Sequence, residues 1–283
     1  MKILLTGANG QLGNEIRKLS SQYNTFEFIY TDVEELDITC DKSCLDLFNN
    51  IKPNYLINCA AYTAVDKAET DTATAYKINA TAVKNLAEAC KVHNTYMIHV
   101  STDYVFDGKS CVPYKETDAV NPNSEYGKSK AEGEKEALLY KNALVIRTSW
   151  LYSSFGNNFV KTMIKLGKER DSLNVVSDQI GTPTYAKDLA NAILTIVAKT
   201  EFVPGIFHYS NEGVCSWYDF ACAIMELNNL NCKVNPIETE QYPTPAKRPS
   251  YSLLNKNKIK STYNIEIAHW HESLKEMIEF LNR

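Results

Sequence analysis

Three glycines, Gly7, Gly10 and Gly13, fall within seven residues directly after the apolar run Lys2 to Thr6. The whole chain of 283 residues holds only 11 glycines, below the usual share of roughly 7%. Their concentration therefore asks for a backbone reason. A short strand, a bare turn and a helix opening at Gly10 would let a pyrophosphate approach free N–H groups at the helix start, while the last glycine lets helix and strand pack closely. Chance supplies this spacing about 0.02 times in such a chain, and the strand–turn–helix setting is what makes it specific. The window thus points to a parallel α/β sheet with a dinucleotide site at its first turn.

The rest of the chain reads accordingly. Phe26 to Thr31, Tyr55 to Ala60, Tyr96 to Ser101 and Ala143 to Thr148 are strand-like, like Lys2 to Thr6. Between them lie helical segments from Gly10 to about Ser20, Asp41 to Asn50, a long stretch ending near His93, and about Glu125 to Tyr140. Strands alternating with crossover helices predict a Rossmann-type, doubly wound parallel sheet covered on both faces. We place the dinucleotide-binding domain at 1–150, with return segments near 175–200. Residues 151–283 are read mainly as a smaller, interleaved C-terminal substrate-binding lobe, with helices at 157–169, 185–199, 216–228 and 269–282. The proline-rich stretch Glu240 to Pro249 is read as a loop near a surface or site.

Bulk properties remove other classes. Thirty basic and 34 acidic residues give a net charge of −4, so no nucleic-acid partner is expected. No stretch approaches the ~18 apolar residues of a membrane span, and the N-terminal apolar run is too short for a signal peptide, so a cytoplasmic protein without a membrane partner is expected. The eight cysteines form no Cys-x-x-Cys pair and are read as reduced.

Tyr126 and Lys130 form the only Tyr-x-x-x-Lys pair in the chain. With 17 tyrosines, about 1.5 such pairs arise at random, so the spacing decides nothing without context. Context is present: the two residues share one face of a predicted helix, and Ser101-Thr102-Asp103-Tyr104 closes a strand at the edge where ligands bind in open α/β sheets. An ammonium beside the phenol would lower its pKa, and the strand-end hydroxyl could share a substrate carbonyl with it. Asp32 ends the second strand, where a carboxylate can hold a ribose 2′-hydroxyl. That favours NADH, while a lysine folded in from elsewhere would admit NADPH.

The glycine turn with Thr102, Tyr126 and Lys130 resembles the extended branch of the short-chain dehydrogenase/reductase superfamily. Longer stretches are similar to the dTDP-4-dehydrorhamnose reductase family. They include Asn58-Cys59-Ala60-Ala61-Tyr62-Thr63-Ala64-Val65-Asp66, Ser101 to Gly108, Arg147-Thr148-Ser149-Trp150, Gly156-Asn157-Asn158-Phe159 and Tyr242 to Pro249. The resemblance covers residues 1 to about 255; Cys59, Tyr62 and Leu151 stand at positions that vary in the family. It implies that Thr102, Tyr126 and Lys130 are catalytic, and that Asp103 and Trp150 face a deoxysugar. It also implies that Gly7, Gly10, Gln11, Leu12, Gly13, Asp32, Asp37, Ile38, Ala61, Tyr62, Thr63 and Ala64, with Tyr126 and Lys130, bind NADPH or NADH. Arg248 is our choice of cation for the substrate's diphosphate. Glu15 is the candidate ligand for a Mg2+ ion, which the sequence does not otherwise support. A homodimer is the default assembly. Two other readings stay open: another nucleotide-sugar epimerase, dehydratase or ketoreductase of the extended branch, and a regulatory subunit without turnover, similar to the β subunit of methionine adenosyltransferase.

Overall fold

The computed structural model describes residues 1–199 and 201–282. The first half alternates β1 (Lys2–Thr6), α1 (Gln11–Leu19), β2 (Glu27–Thr31), α2 (Asp41–Ile51) and β3 (Tyr55–Asn58). After β3 come α3 (Val65–Ala68), α4 (Thr72–Tyr76), α5 (Ala82–His93), β4 (Tyr96–Thr102), α6 (Glu125–Leu138) and β5 (Ala143–Thr148). The second half contains β6 (Leu151–Tyr152), α7 (Phe159–Glu169), β7 (Ser172–Val176), β8 (Ile180–Gly181), β9 (Thr184–Tyr185), α8 (Ala186–Ala198) and β10 (Gly205–His208). It closes with β11 (Cys215–Ser216), α9 (Trp217–Leu227), β12 (Lys233–Ile237), α10 (Asn257–Tyr263) and α11 (Trp270–Leu281).

Six strands form the main sheet in the order β10-β5-β4-β3-β1-β2, all parallel. The doubly wound sheet predicted from the sequence is therefore present. Alternation along each strand divides its apolar residues between two cores. On one face Ile3, Leu5 and Ile57 pack with Ile16 of α1 and Leu189, Ile193 and Ile196 of α8. On the other face Leu4, Leu56 and Val145 pack with Phe48 of α2, Leu86 and Cys90 of α5 and Ala137 of α6. A third core gathers Val160, Phe220, Met225, Trp270 and Leu274 from α7, α9 and α11 around the parallel pair β7 and β12.

Three departures from the sequence reading bear on the main sheet and its helices. The strand expected to run to Ala60 stops at Asn58, whose Oδ1 accepts from Thr6 Oγ1 at 2.7 Å and from the Ala60 amide at 3.1 Å. The side chain thus takes over what a ladder partner would supply. The long helix expected before His93 is broken into α3, α4, a π turn at Lys77–Thr81 and α5. The turn brings the Asn79 carbonyl against α6 so closely that a Cβ on Gly133 would lie 1.9 Å from it. Finally, β10 joins the sheet beside β5; a four-residue strand carries too little periodicity to be read beforehand.

Candidate active site

The sheet order reverses at β1, with β2 on one side and β3 on the other, and the crevice outside the carboxyl ends of these strands is where open α/β sheets bind ligands. Gly7 takes a left-handed φ of 67°, and a Cβ there would meet the Ala60 amide nitrogen at 2.6 Å. Gly10 caps α1 without any side-chain hydrogen bond, and the first turn of that helix holds no acidic residue. The free amides and the positive end of the helix dipole therefore remain available to an anion. The side chains of Gln11 and Leu12 point elsewhere. Gln11 Oε1 accepts from Asn158 Nδ2 at 2.9 Å, and Leu12 is buried in the core, so these two residues offer a pyrophosphate their backbone.

A cleft of about 260 Å³ opens beside this turn, lined by Gly7, Asp32, Asp37, Ile38, Cys59 and Ala61 among others. Asp32 accepts from the amide of Asn9 at 2.9 Å through Oδ2 and from that of Val33 at 2.9 Å through Oδ1, tying the glycine turn to the end of β2. Asp37 accepts from the side chain and amide of Thr39, bonds that hold its carboxyl below the usual range. The uncapped helix start and the acidic, partly apolar cleft fit an adenine dinucleotide. Tyr62, Thr63 and Ala64 lie beyond the lining of this cleft. Asn79, which sequence reasoning missed, fixes their segment: it accepts from the Tyr62 amide at 2.8 Å and donates to the Tyr62 carbonyl and to Ser129 Oγ.

Thr102, Asp103, Tyr126 and Lys130 gather at the end of β4 and the start of α6, where Ser124 caps the helix by accepting from the Gly127 amide. Lys130 Nζ donates to the Val100 carbonyl at 2.7 Å. Its burial pulls the ammonium down to about 8, against the opposing charges of Glu134 and Cys59. The spacing argument expected Lys130 to lower the Tyr126 pKa, and the chain alone does the reverse. Burial pushes the phenol up to about 12, with the Thr102 hydroxyl pulling down and the Asp103 charge pushing up. Such a phenol is protonated throughout the neutral range, which is the form a proton donor needs. Tyr104 packs edge-on against Tyr126 at 5.5 Å.

The residues expected to face the sugar occupy different settings. Trp150 has a left-handed φ of 46°, rare for a bulky residue, and stacks on Trp217 with ring centroids 3.7 Å apart and planes 10° apart. Gly181 leaves the room this needs, since a Cβ there would lie 2.8 Å from Trp150 Cζ2. Asp103 is 2% exposed and accepts from Thr102 Oγ1 at 3.0 Å. Arg248 makes a two-pronged pair with Asp66, at 3.0 and 2.8 Å, and Asp66 also accepts from the Ala246 amide. This pair holds the Asp66 carboxyl below its ordinary pKa and pins the proline-rich loop to the segment that follows β3. Glu15 is fully buried and accepts from Ser153 Oγ at 2.7 Å. Among the described residues no group of three or more His, Cys, Asp or Glu is placed to hold a metal ion, and no helix is long and apolar enough to cross a membrane. All eight cysteines are unpaired.

Sheet, glycine turn and the hydroxyl–tyrosine–lysine group together define an extended short-chain dehydrogenase/reductase. Comparison with known proteins narrows this. The family model described as the RmlD substrate binding domain matches residues 1–283. A dTDP-4-dehydrorhamnose reductase of Aggregatibacter actinomycetemcomitans is 46% identical, with 98% of each chain covered, and one of Escherichia coli K12 is 40% identical over 99% of this chain and 98% of that one. The crystal structure of a dTDP-4-dehydrorhamnose reductase from Clostridium acetobutylicum superposes with a TM-score of 0.96 at 50% identity, covering all of both chains. That of the Bacillus anthracis enzyme in complex with NADP gives 0.95 at 38% identity and 99% coverage of each. The chain belongs to the dTDP-4-dehydrorhamnose reductase family.

Proposed function

We propose that this chain reduces the C4 keto group of dTDP-4-dehydro-β-L-rhamnose, giving dTDP-L-rhamnose, with NADPH or NADH as reductant. The observation that carries the reading is the buried group of Thr102, Tyr126 and Lys130 beside an uncapped helix start, in a chain 46% identical to a dTDP-4-dehydrorhamnose reductase over 98% of each. When bound, the nicotinamide cofactor supplies the hydride. The free amides at the start of α1 hold its pyrophosphate and Asp32 its adenosine ribose. Tyr126 donates its proton to the developing alkoxide, and Thr102 supports the same oxygen. Lys130 holds the nicotinamide ribose, and Trp150 offers an apolar wall to the sugar. Arg248 serves the diphosphate, so substrate binding requires it to share or leave Asp66.

The protein is proposed to work in the cytoplasm as a homodimer, which light scattering on the purified chain checks. The test of function is cofactor oxidation on adding the dTDP-4-keto sugar, with UDP- and GDP-4-keto sugars as competitors. Tyr126→Phe should cost at least about 100-fold in kcat. No oxidation with the dTDP substrate, or equal rates in wild type and Tyr126→Phe, refutes the proposal.

A further inference from the structure

The Arg248 guanidinium carries its N–H donors in a rigid planar fork, and Asp66 takes only one edge of it. Nη1 donates to Asp66 Oδ1 at 3.0 Å and Nη2 donates to Asp66 Oδ2 at 2.8 Å. The second proton of Nη1 meets the Ala246 carbonyl at 3.3 Å. What remains is Nε–H and the second proton of Nη2, side by side along the other edge, and the described residues give neither of them an acceptor. Two parallel donors are the pattern that grips two oxygens of a phosphate. We propose that Asp66 is a positioning residue for the substrate's diphosphate: it clamps the end of the guanidinium so that the free edge meets the phosphate oxygens, and the pair stays intact when the nucleotide binds. This rests on the reading above, in which Arg248 serves the diphosphate, and it is the sharing of Arg248, not its release from Asp66, that the free edge allows.

The two sides of the clamp differ in firmness. Asp66 sits on α3, whose Ala68 is buried together with Tyr126 and whose Val65 packs on the same group. Glu69, directly after that helix, accepts from the Glu125 amide at 2.9 Å. Asp66 is thus carried on the same support as the proton donor. Arg248 sits on the stretch Tyr242 to Pro249, most of which is exposed or half-buried. Asp178 ties the chain before that stretch by accepting from the Thr239 amide and hydroxyl, and the Ile180 amide ties the chain after it by donating to the Ser250 carbonyl at 2.8 Å. Between these ties, among the described residues, Asp66 supplies the hydrogen bonds to the rest of the fold, those to Arg248 and one from the Ala246 amide at 3.2 Å. Prolines at 243, 245 and 249 stiffen the backbone but leave the long arginine side chain its rotamers. The carboxylate removes that freedom before the nucleotide arrives, which lowers the entropy lost on binding. Its negative charge opposes a diphosphate, yet the Asp66 side chain is 41% exposed and water screens much of the repulsion. The guanidinium charge also reaches the phenol of Tyr104, the ring packed edge-on against Tyr126, so Arg248 belongs to the neighbourhood of the catalytic group.

Calorimetric titration of dTDP into wild type, Asp66→Asn, Asp66→Ala, Arg248→Ala and the double variant Asp66→Asn with Arg248→Ala tests this, alongside turnover of the dTDP-4-keto sugar. Asparagine keeps the shape and an acceptor for the Ala246 amide but turns an N–H towards Nη2, so it cannot hold the fork. Asp66→Asn and Asp66→Ala should each weaken dTDP about tenfold and raise the sugar KM by a similar factor. The kcat should move less than about threefold, the mark of a lost binding contact, and the NADPH Kd should stay that of wild type. In the Arg248→Ala background Asp66→Asn should weaken dTDP no further, because a residue that acts through another falls silent with it. The proposal is overturned if either Asp66 variant binds dTDP as tightly as wild type or more tightly, since the carboxylate would then compete with the diphosphate. It is overturned as well if Asp66→Asn weakens dTDP equally with and without Arg248, if kcat falls with KM unmoved, or if both Asp66 variants lose NADPH, each of which marks a merely structural role. A wild type that binds dTDP but does not turn over refutes the reductase reading and leaves this inference to the titration; one that does not bind dTDP refutes both.

Discussion

The three glycines of the first turn are required for different reasons, and substituting them one at a time separates those reasons. A Cβ on Gly13 would stand 2.4 Å from the Gly7 carbonyl oxygen and 2.7 Å from two backbone atoms of Ala8. Every one of these atoms is backbone, so none can rotate aside, and α1 must retreat from β1 by about 1 Å to restore an ordinary contact. Overpacking of this kind costs about 1–3 kcal/mol, offset by about 1 kcal/mol of better helix propensity. Because all three contacts are with backbone, the upper half of that range applies, and the net loss of about 1–2 kcal/mol should lower Tm by roughly 2–5 °C. The same movement displaces the helix-start amides, and losing about 1.4 kcal/mol of cofactor binding is tenfold in Kd. In Gly10→Ala the nearest atom is the Gly7 oxygen at 3.3 Å, so stability should change by less than about 0.5 kcal/mol, while the methyl obstructs the approach of a pyrophosphate. Thermal melting with a fluorescence titration of NADPH reads both quantities. A Gly13→Ala protein that melts and binds like wild type, or a Gly10→Ala protein that loses as much Tm, refutes this division of roles.

Other substitutions probe the site from different sides. Lys130 is drawn down to about 8 by burial; the folded chain bears the cost of its charge below that pH, and stability rises between there and the ordinary lysine value as only the unfolded chain still binds the proton. Lys130→Met should therefore abolish turnover and raise stability at pH 7 by about 1–2 kcal/mol, and Tm with it, once the lost bond to Val100 is subtracted from roughly 3 kcal/mol of relieved desolvation; a lower Tm would contradict this. Arg147 pairs in two places with Glu134, at 2.9 and 2.7 Å, where both side chains are almost wholly buried. Glu134→Gln strands that guanidinium and should cost about 3–5 kcal/mol in denaturant unfolding, and a loss below about 1 kcal/mol would mean that water reaches the pair. Trp217→Ala removes the support of the strained Trp150 and should raise the sugar KM about tenfold, a change of 1.4 kcal/mol, while leaving the cofactor Kd alone. Trp217→Phe should recover most of it, and an equal effect of both variants on cofactor binding would show a general loss of structure.

What could be read from the residues was local or periodic. The glycine window and the alternation of strands and helices disclosed the sheet, because a turn chemistry and a hydrophobic period are written into neighbouring positions. The same holds for the grouping of Tyr126 with Lys130, one turn apart on a helix whose serine cap is adjacent. Contacts between distant positions left no such trace. Asp66 with Arg248, Trp150 with Trp217, and Asn79 with Tyr62 are brought together only by tertiary folding, and nothing in the spacing of either member announces the other. The Tyr126 pKa shows the same division. The helix spacing suggested a lowered value, whereas its burial, a property of the whole fold, sets the direction.

The late strand β10 has a consequence for how the protein is made. All six residues of β5 are buried in the finished sheet, yet the strand that covers its outer edge ends only at His208. A nascent chain released as far as Thr148 would carry β1 to β5 with β5 as an open, apolar edge, the kind of surface on which sheets recruit strands from other chains. Expression of the first 150 residues alone would therefore yield an aggregating fragment, and a circular permutant must keep Gly205–His208 on the same chain as β5 to stay soluble.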